Sequence, residues 1–297
     1  MSLLHSVHSL PATGRNPMRD MALTDPAGVR IGAVNYLNSK PLIEGLTAEL
    51  ATVAPQAELF LDYPSRLADD LSRGHLDVAL IPSVECLRDP GYEIVTDACV
   101  AAHGPVLSVK LYSRVPVEDI GSLALDEGSR TSATLARLLL SERFGVRPEL
   151  DLLPLGRSIA TSNADAVLLI GDRAMHPVEA DFVETWDLGE VWSDWTGLPF
   201  AFALWATRRG TPLGRVEEAL TTARDRGLTR LSEIGAREAG ALGIAPSTAV
   251  NYLTRNLHFR LGPSERQGLA LFRRLSIAQG LIAGEIEMAF RDCGIPG

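Results

Sequence analysis

Val29–Leu46, "VRIGAVNYLNSKPLIEGL", opens as an apolar run over Val29–Val34 and turns polar at Asn35, Tyr36, Asn38 and Ser39, just ahead of Pro41. An apolar run of that length bounded by turn-forming residues is the pattern of a buried strand. Helical spacing follows over Pro41–Leu50. Asn and Ser before a helix cap its free N–H groups. Two asparagines and a tyrosine exceed what one cap requires, so this loop is a candidate ligand site as well as a candidate cap.

The same alternation continues outward. Glu58–Leu61 has the character of a short strand, and "SRLADDLSRG" spaces Leu67 and Leu71 for a helix that stops at Gly74. "LDVALIPS", from Leu76, is another buried strand. Further on, "SLALDEGSRTSATLARLLLSERFGV" gives strand, polar loop and helix up to Gly145, and "ADAVLLIGD" runs a strand into Gly171 and Asp172. Alternating strands and helices predict an α/β fold with a mainly parallel sheet. The last third has helical spacing almost throughout, from Leu213, Val216 and Leu220 to "SERQGLALFRRLSIAQGLI". It has too few strands for its own sheet and should pack back on the first block.

The chain has 297 residues, 46% of them hydrophobic, and a formal net charge of −9. That length exceeds one small core, so two domains are expected. The predicted layout is an outer domain from residues 29–112 and 204–297 and an inserted α/β domain over 113–203, with "VLSVKLYS" and "FAFALWATR" connecting them. Ligands of open α/β sheets bind beyond the carboxyl ends of strands, and clefts between domains are favoured sites. The polar loops after the strands can converge on one such cleft.

A mean hydropathy of +0.09 fits a globular chain. The acidic balance supplies no basic stripe for nucleic acid but leaves room for a local anion site. The three cysteines, Cys86, Cys99 and Cys293, are far apart with no CxxC pair, so neither a zinc site nor a disulfide framework is indicated. Lys40 and Lys110 are the only lysines, and neither sits in a Schiff-base motif. His5 and His8 share a helix-face spacing but fall in residues 1–28, a tail expected to be disordered and lacking the apolar segment of an export signal. No apolar run approaches the ~20 residues that span a bilayer. A cytoplasmic protein is the expectation.

Several loops carry candidate ligand groups, each with a plain structural alternative. Ser83 in "LIPSVEC" follows a buried strand and is placed to cap a helix or to face the cleft. "HGPVLSVK" brings Gly104, Pro105 and Ser108 to the first connecting segment. Without GxSxG or a neighbouring His or Asp, Ser108 suits a hydrogen-bond donor better than a nucleophile. "GSRTSATL" sets Ser129, Thr131 and Ser132 at a helix start, where free N–H groups and the helix dipole favour anions. Asp172 is either a cap or an acceptor for a substrate hydroxyl. Trp195, Thr196 and Gly197 in "WSDWTGLPF" form a candidate loop at the cleft edge. GxxxxGK[ST], HExxH and a GxGxxG after a strand are all absent. The residues alone describe a two-domain cleft protein for a small anion.

Taken together, "RIGAVNYLNSKPL", "RGHLDVALIPSVE", "GPVLS", "SRTSATLARLLLSERFGV", "AVLLIGD" and "WTGLPFAFALWA" resemble the chorismate dehydratase family of the futalosine route to menaquinone. The resemblance runs in order over about residues 29–262. It implies a two-domain fold like that of the type II periplasmic binding proteins, with the ligand cleft between domains. It also implies conversion of chorismate to 3-[(1-carboxyvinyl)oxy]benzoate and water. Asn38 matches the family's active-site asparagine and Ser108 its serine. Around them we assign Tyr36, Ser83, Gly104, Thr131, Ser132, Asp172 and Thr196 to substrate binding. No metal or organic cofactor is expected, and chorismate is the only partner implied, with neither nucleic acid nor membrane. The sister enzyme, 1,4-dihydroxy-6-naphthoate synthase, opens with a Ser-Pro-Cys-Pro-Asn-Asp type loop that this chain lacks. A solute-binding protein of the same fold would carry an export signal or lipid anchor.

Overall fold

The computed structural model describes residues 28–178, 181–284 and 287–291. His5, His8, nearly all of the N-terminal tail, and Cys293 lie outside the described residues. The chain runs β1 (Arg30–Val34), α1 (Leu46–Val53), β2 (Glu58–Asp62), α2 (Pro64–Ser72), β3 (Val78–Pro82), α3 (Ser83–Arg88) and β4 (Tyr92–Ala102). It continues through β5 (Val109–Ser113), β6 (Ser122–Asp126), α4 (Arg130–Phe144), β7 (Glu149–Leu153), β8 (Ala166–Ile170), β9 (Glu184–Asp187) and α5 (Leu188–Thr196). The last part is β10 (Phe200–Arg208), α6 (Val216–Leu228), α7 (Leu231–Leu242), α8 (Pro246–Asn251), β11 (Leu257–Arg260), α9 (Pro263–Ala278) and β12 (Ala289–Phe290).

Two sheets result. One has the order β11-β4-β10-β3-β1-β2, with β12 also on β4; the other has the order β7-β6-β8-β5-β9. The chain leaves the first sheet after Ala102, builds the second from residues 109–187, and returns at Phe200. The segments read as connectors are strands of these sheets: β5 lies between β8 and β9, and β10 between β3 and β4. Both sheets are mixed, which corrects the mainly parallel expectation. β2-β1-β3 and β7-β6-β8 are parallel, whereas β10 is antiparallel to β3 and β4, and β5 to β8 and β9. A strand that enters a sheet by crossing from the other is free to run against its neighbours, because no βαβ crossover dictates its direction.

Burial explains which runs became strands. Every residue of β3 and β8 is buried, so helices and loops cover both faces. α4 buries Thr131, Leu135, Leu138 and Leu139 at helical spacing and ends where Gly145 turns left-handed at φ 69°. The last third packs back on the first sheet as expected: α6 contacts β4, and β11 and β12 pair with the outer edge of β4. An aromatic cluster of Trp192, Phe200 and Phe272, with ring centroids 4.9–6.1 Å apart, fixes the return crossing. Phe202, edge-to-face with Phe200 at 4.7 Å between centroids, extends that cluster toward the space between the sheets.

Candidate active site

The loop after β1 is shaped by its backbone rather than by caps. A 3₁₀ turn spans Leu37–Ile43 with no side-chain cap at Tyr36, and the Ser39 hydroxyl donates to the carbonyls of Val34 and Tyr36. The polar side chains are therefore not consumed in starting a helix. Asn35 is exposed, while Asn38 is half-buried, and its Oδ1 has no hydrogen-bond partner among the described residues. A buried amide oxygen left unpaired is costly unless something else meets it.

Opposite this loop lies the outward crossing between the sheets. Asp187 accepts from the N–H groups of Val106 (2.8 Å) and Leu107 (2.6 Å) while capping α5 through Gly189 and Glu190. Leu107 is held at φ 61°, a left-handed conformation uncommon for leucine. Such strain persists only where neighbouring bonds over-determine it. Its effect is to aim Ser108 at the Asn38 loop. The Ser108 carbonyl accepts from Gly171 N–H at 2.9 Å, and its hydroxyl accepts from the Tyr252 phenol at 2.7 Å.

The start of α4 forms a third wall. Ser129 caps the helix, its hydroxyl accepting from Ser132 N–H at 3.2 Å. Thr131 Oγ1 accepts from Val84 N–H at 3.2 Å and lies 3.4 Å from the Ser83 hydroxyl, which itself donates to the Ala201 carbonyl at 2.7 Å. Arg130 pairs with Asp69 (2.6 Å) and Glu85 (3.6 Å), anchoring α4 to α2 and α3.

These elements border about 530 Å³ of space that opens to solvent. Tyr36, Asn38, Ser108, Ser129, Thr131 and Ser132 line it together, against an apolar wall that includes Val100, Ile170 and Phe202. Among the described residues, no carboxylate, imidazole, lysine or arginine is a lining side chain. The groups there suited to an anion are the first turn of α4 and the hydroxyl and amide donors.

The other assigned residues stand elsewhere. Ser83 is wholly buried behind Thr131, spending its proton on Ala201. Gly104 turns the crossing segment, its N–H donating to Ser193 Oγ at 2.8 Å. Thr196 closes the last turn of α5, donating to the Trp192 carbonyl and accepting from Leu198 N–H. Asp172 accepts from Leu37 N–H through both oxygens, and burial pushes its carboxyl up to about 6 although that N–H, Lys40 and His176 pull it down. Tyr252, absent from the sequence assignment, lies behind Ser108. It is fully buried in a π-helical turn over Tyr252–Asn256. Burial raises its phenol well above the ordinary range, outweighing the bond to Ser108, so it stays protonated.

Among the described residues no group of His, Cys, Asp and Glu could hold a metal ion, and no helix is long and apolar enough to cross a membrane. A family described as menaquinone biosynthesis matches residues 29–277. A chorismate dehydratase of Thermus thermophilus is 33% identical over 260 residues, 82% of this chain and 93% of that protein. Another, from Campylobacter jejuni, is 30% identical over 168 residues, 57% of this chain and 58% of that protein. Among solved structures, a protein of Archaeoglobus fulgidus superposes with a TM-score of 0.70 at 17% identity, covering 86% of this chain and 98% of that one. An alkanesulfonate-binding protein of Xanthomonas axonopodis superposes with a TM-score of 0.60 at 16% identity, covering 89% of this chain and 96% of that one. The two sheets and the cleft between them are thus a periplasmic-binding-protein-like fold. By the span and identity of these matches, the chain belongs to the menaquinone-biosynthesis family.

Proposed function

We propose that the protein is a chorismate dehydratase, a carbon–oxygen hydro-lyase that converts chorismate to 3-[(1-carboxyvinyl)oxy]benzoate and water. One observation carries the reading beyond similarity. The cleft gathers the Asn38 amide, the Ser108 hydroxyl and the hydroxyl-rich start of α4 around one small space, with no carboxylate or imidazole among the described residues that line it. That suits a substrate that brings two carboxylates of its own, since a facing carboxylate would repel it.

The reaction breaks the C–H bond beside the enolpyruvyl oxygen and the C–O bond of the neighbouring hydroxyl. The C–H electron pair becomes a ring double bond, and the proton and hydroxide leave as water. A base must reach that hydrogen, yet Asn38 and Ser108 are an amide and a hydroxyl. The substrate's own enolpyruvyl carboxylate fills the role. Asn38 and Ser108 orient that group and donate to the departing hydroxyl, while Ser129, Thr131 and Ser132 seat a carboxylate at the helix start. Positioning of this kind can remove several kcal/mol from a barrier. A biosynthetic enzyme acting on a soluble metabolite would work in the cytoplasm, and that location is part of this proposal.

Incubation with chorismate, followed by absorbance and mass, tests the proposal. A new aromatic acid lighter than chorismate by one water is expected. Saturable binding with no turnover would instead make this a binding protein.

A further inference from the structure

Tyr252 lies 144 residues from Ser108 in sequence, yet its phenol meets the Ser108 hydroxyl at 2.7 Å inside the protein. Tyr252 has 0% of its surface exposed and Ser108 only 2%. Tyr252 does not itself line the cleft, while Ser108 and Asn38 both do. Asn38 is also among the groups that bear on the electrostatics of that phenol, so the tyrosine stands behind the cleft floor. The tyrosine begins a single π-helical turn between α8 and β11, a backbone departure frequent at functional sites.

A serine hydroxyl has one proton and can point it in several directions. Here the phenol donates to Ser108 Oγ, which occupies an acceptor site of the serine and leaves its proton to be given elsewhere. We propose that Tyr252 is a positioning residue. It locks the Ser108 hydroxyl as a donor directed into the cleft, so that it meets the substrate already oriented. Donors in series also polarise one another, which makes the Ser108 proton a better partner for charge developing on the departing hydroxyl. This inference rests on the dehydratase reading above.

The test is steady-state turnover of chorismate by wild type, Tyr252→Phe, Ser108→Ala and the double variant. Tyr252→Phe keeps the ring and removes the donor. Its kcat is expected to fall about tenfold or more with KM changed less than about threefold, because the lost effect belongs to the transition state. In the Ser108→Ala background the same substitution should add less than about twofold, since the tyrosine acts through the serine. An equal loss in both backgrounds, or none in either, overturns the inference.

A second measurement avoids any folding defect by keeping the phenol. With a polyfluorinated, more acidic tyrosine at position 252, kcat should acquire an alkaline limb at lower pH than in wild type, where the phenol ionises and can no longer donate. Coincident pH profiles overturn the inference. Inert wild type would defeat the dehydratase reading and this inference with it. Active wild type with an indifferent tyrosine would defeat this inference alone.

Discussion

Both carboxylate oxygens of Asp172 face the backbone N–H of Leu37, at 3.0 and 3.1 Å, so the turn after β8 grips the loop after β1 across the cleft. Beside them the Tyr36 ring lies on the backbone of Gly171. The bond is made by a half-buried carboxylate whose titration is pushed up to about 6, chiefly by burial. The folded state therefore binds this proton more tightly than the unfolded chain does. By linkage, stability falls as pH rises from the unfolded value of 3.8 through about 6. Asp172→Asn removes that dependence. The variant should be more stable than wild type at pH 8 by up to about 2 kcal/mol, with the gap closing toward pH 4. Thermal melts at several pH values check this. A gap that widened on acidification would show that the carboxylate, not its burial, dominates.

Gly171 combines φ 75° with ψ −164°, a region only glycine enters readily. A Cβ there would lie 2.6 Å from Cζ of Tyr36. Gly171→Ala must therefore push the two loops apart, and its expected effect is on binding: chorismate affinity lower by at least about tenfold. Wild type should compact on saturation with ligand, because the two sheets are joined by two crossings that can act as a hinge. Small-angle scattering with and without ligand reads the closure, and a chorismate titration of both proteins reads the affinity. Superimposable curves for wild type would argue against closure, and unaltered affinity in Gly171→Ala would argue against the contact.

Asp187 is the support of the strained crossing. Removing it in Asp187→Ala leaves the N–H groups of Val106 and Leu107 without their acceptor and strips the cap from α5. Losses of about 2–4 kcal/mol are expected for such buried groups, lowering the unfolding midpoint by roughly 5–10 °C. Activity should fall as well, because Leu107 is then free to relax and swing Ser108. A stable variant with full activity would mean that the crossing holds its shape unaided.

How far the sequence reveals this molecule depends on how far apart the cooperating residues lie. β1, β3 and β8 are unbroken apolar runs between polar loops, and their fate was legible. β4 was not, because Thr96 and Asp97 interrupt its run; in the fold they bond Thr221 and Arg224 of α6. β5 and β10 have the look of connectors, since sequence does not distinguish a strand reached by crossing from an extended linker. Tyr36, Asn38, Ser108, Thr131 and Ser132 stand out as polar residues following strands, and they do line one cleft. Thr196 shares that polar character, but its hydroxyl is spent on the end of its own helix. Tyr252 carried no local signal at all: its importance lies wholly in a partner in another part of the chain.

The identity of the proton acceptor is the most consequential prediction. Among the described residues, Asp172 is the carboxylate nearest in role to a base, and its titration near 6 would suit one. Its geometry does not. Both oxygens are turned to Leu37 N–H, and the residue is not among those lining the cleft. An ionised carboxylate moved into contact with a dianion would also pay several kcal/mol in repulsion at such a site. Asn38, by contrast, lines the cleft with an amide whose oxygen finds no partner among the described residues. If the substrate's carboxylate takes the proton, then Asn38→Ala should lower kcat by about two to three orders of magnitude, because an unoriented carboxylate rarely reaches the hydrogen. Asp172→Asn should lower it by less than about tenfold, through looser closure alone. Single-turnover rates at saturating chorismate separate the two, since they exclude binding and release. If Asp172→Asn abolished the chemical step while binding chorismate as tightly as wild type, the base would belong to the protein and the cleft floor would serve only to hold the ring.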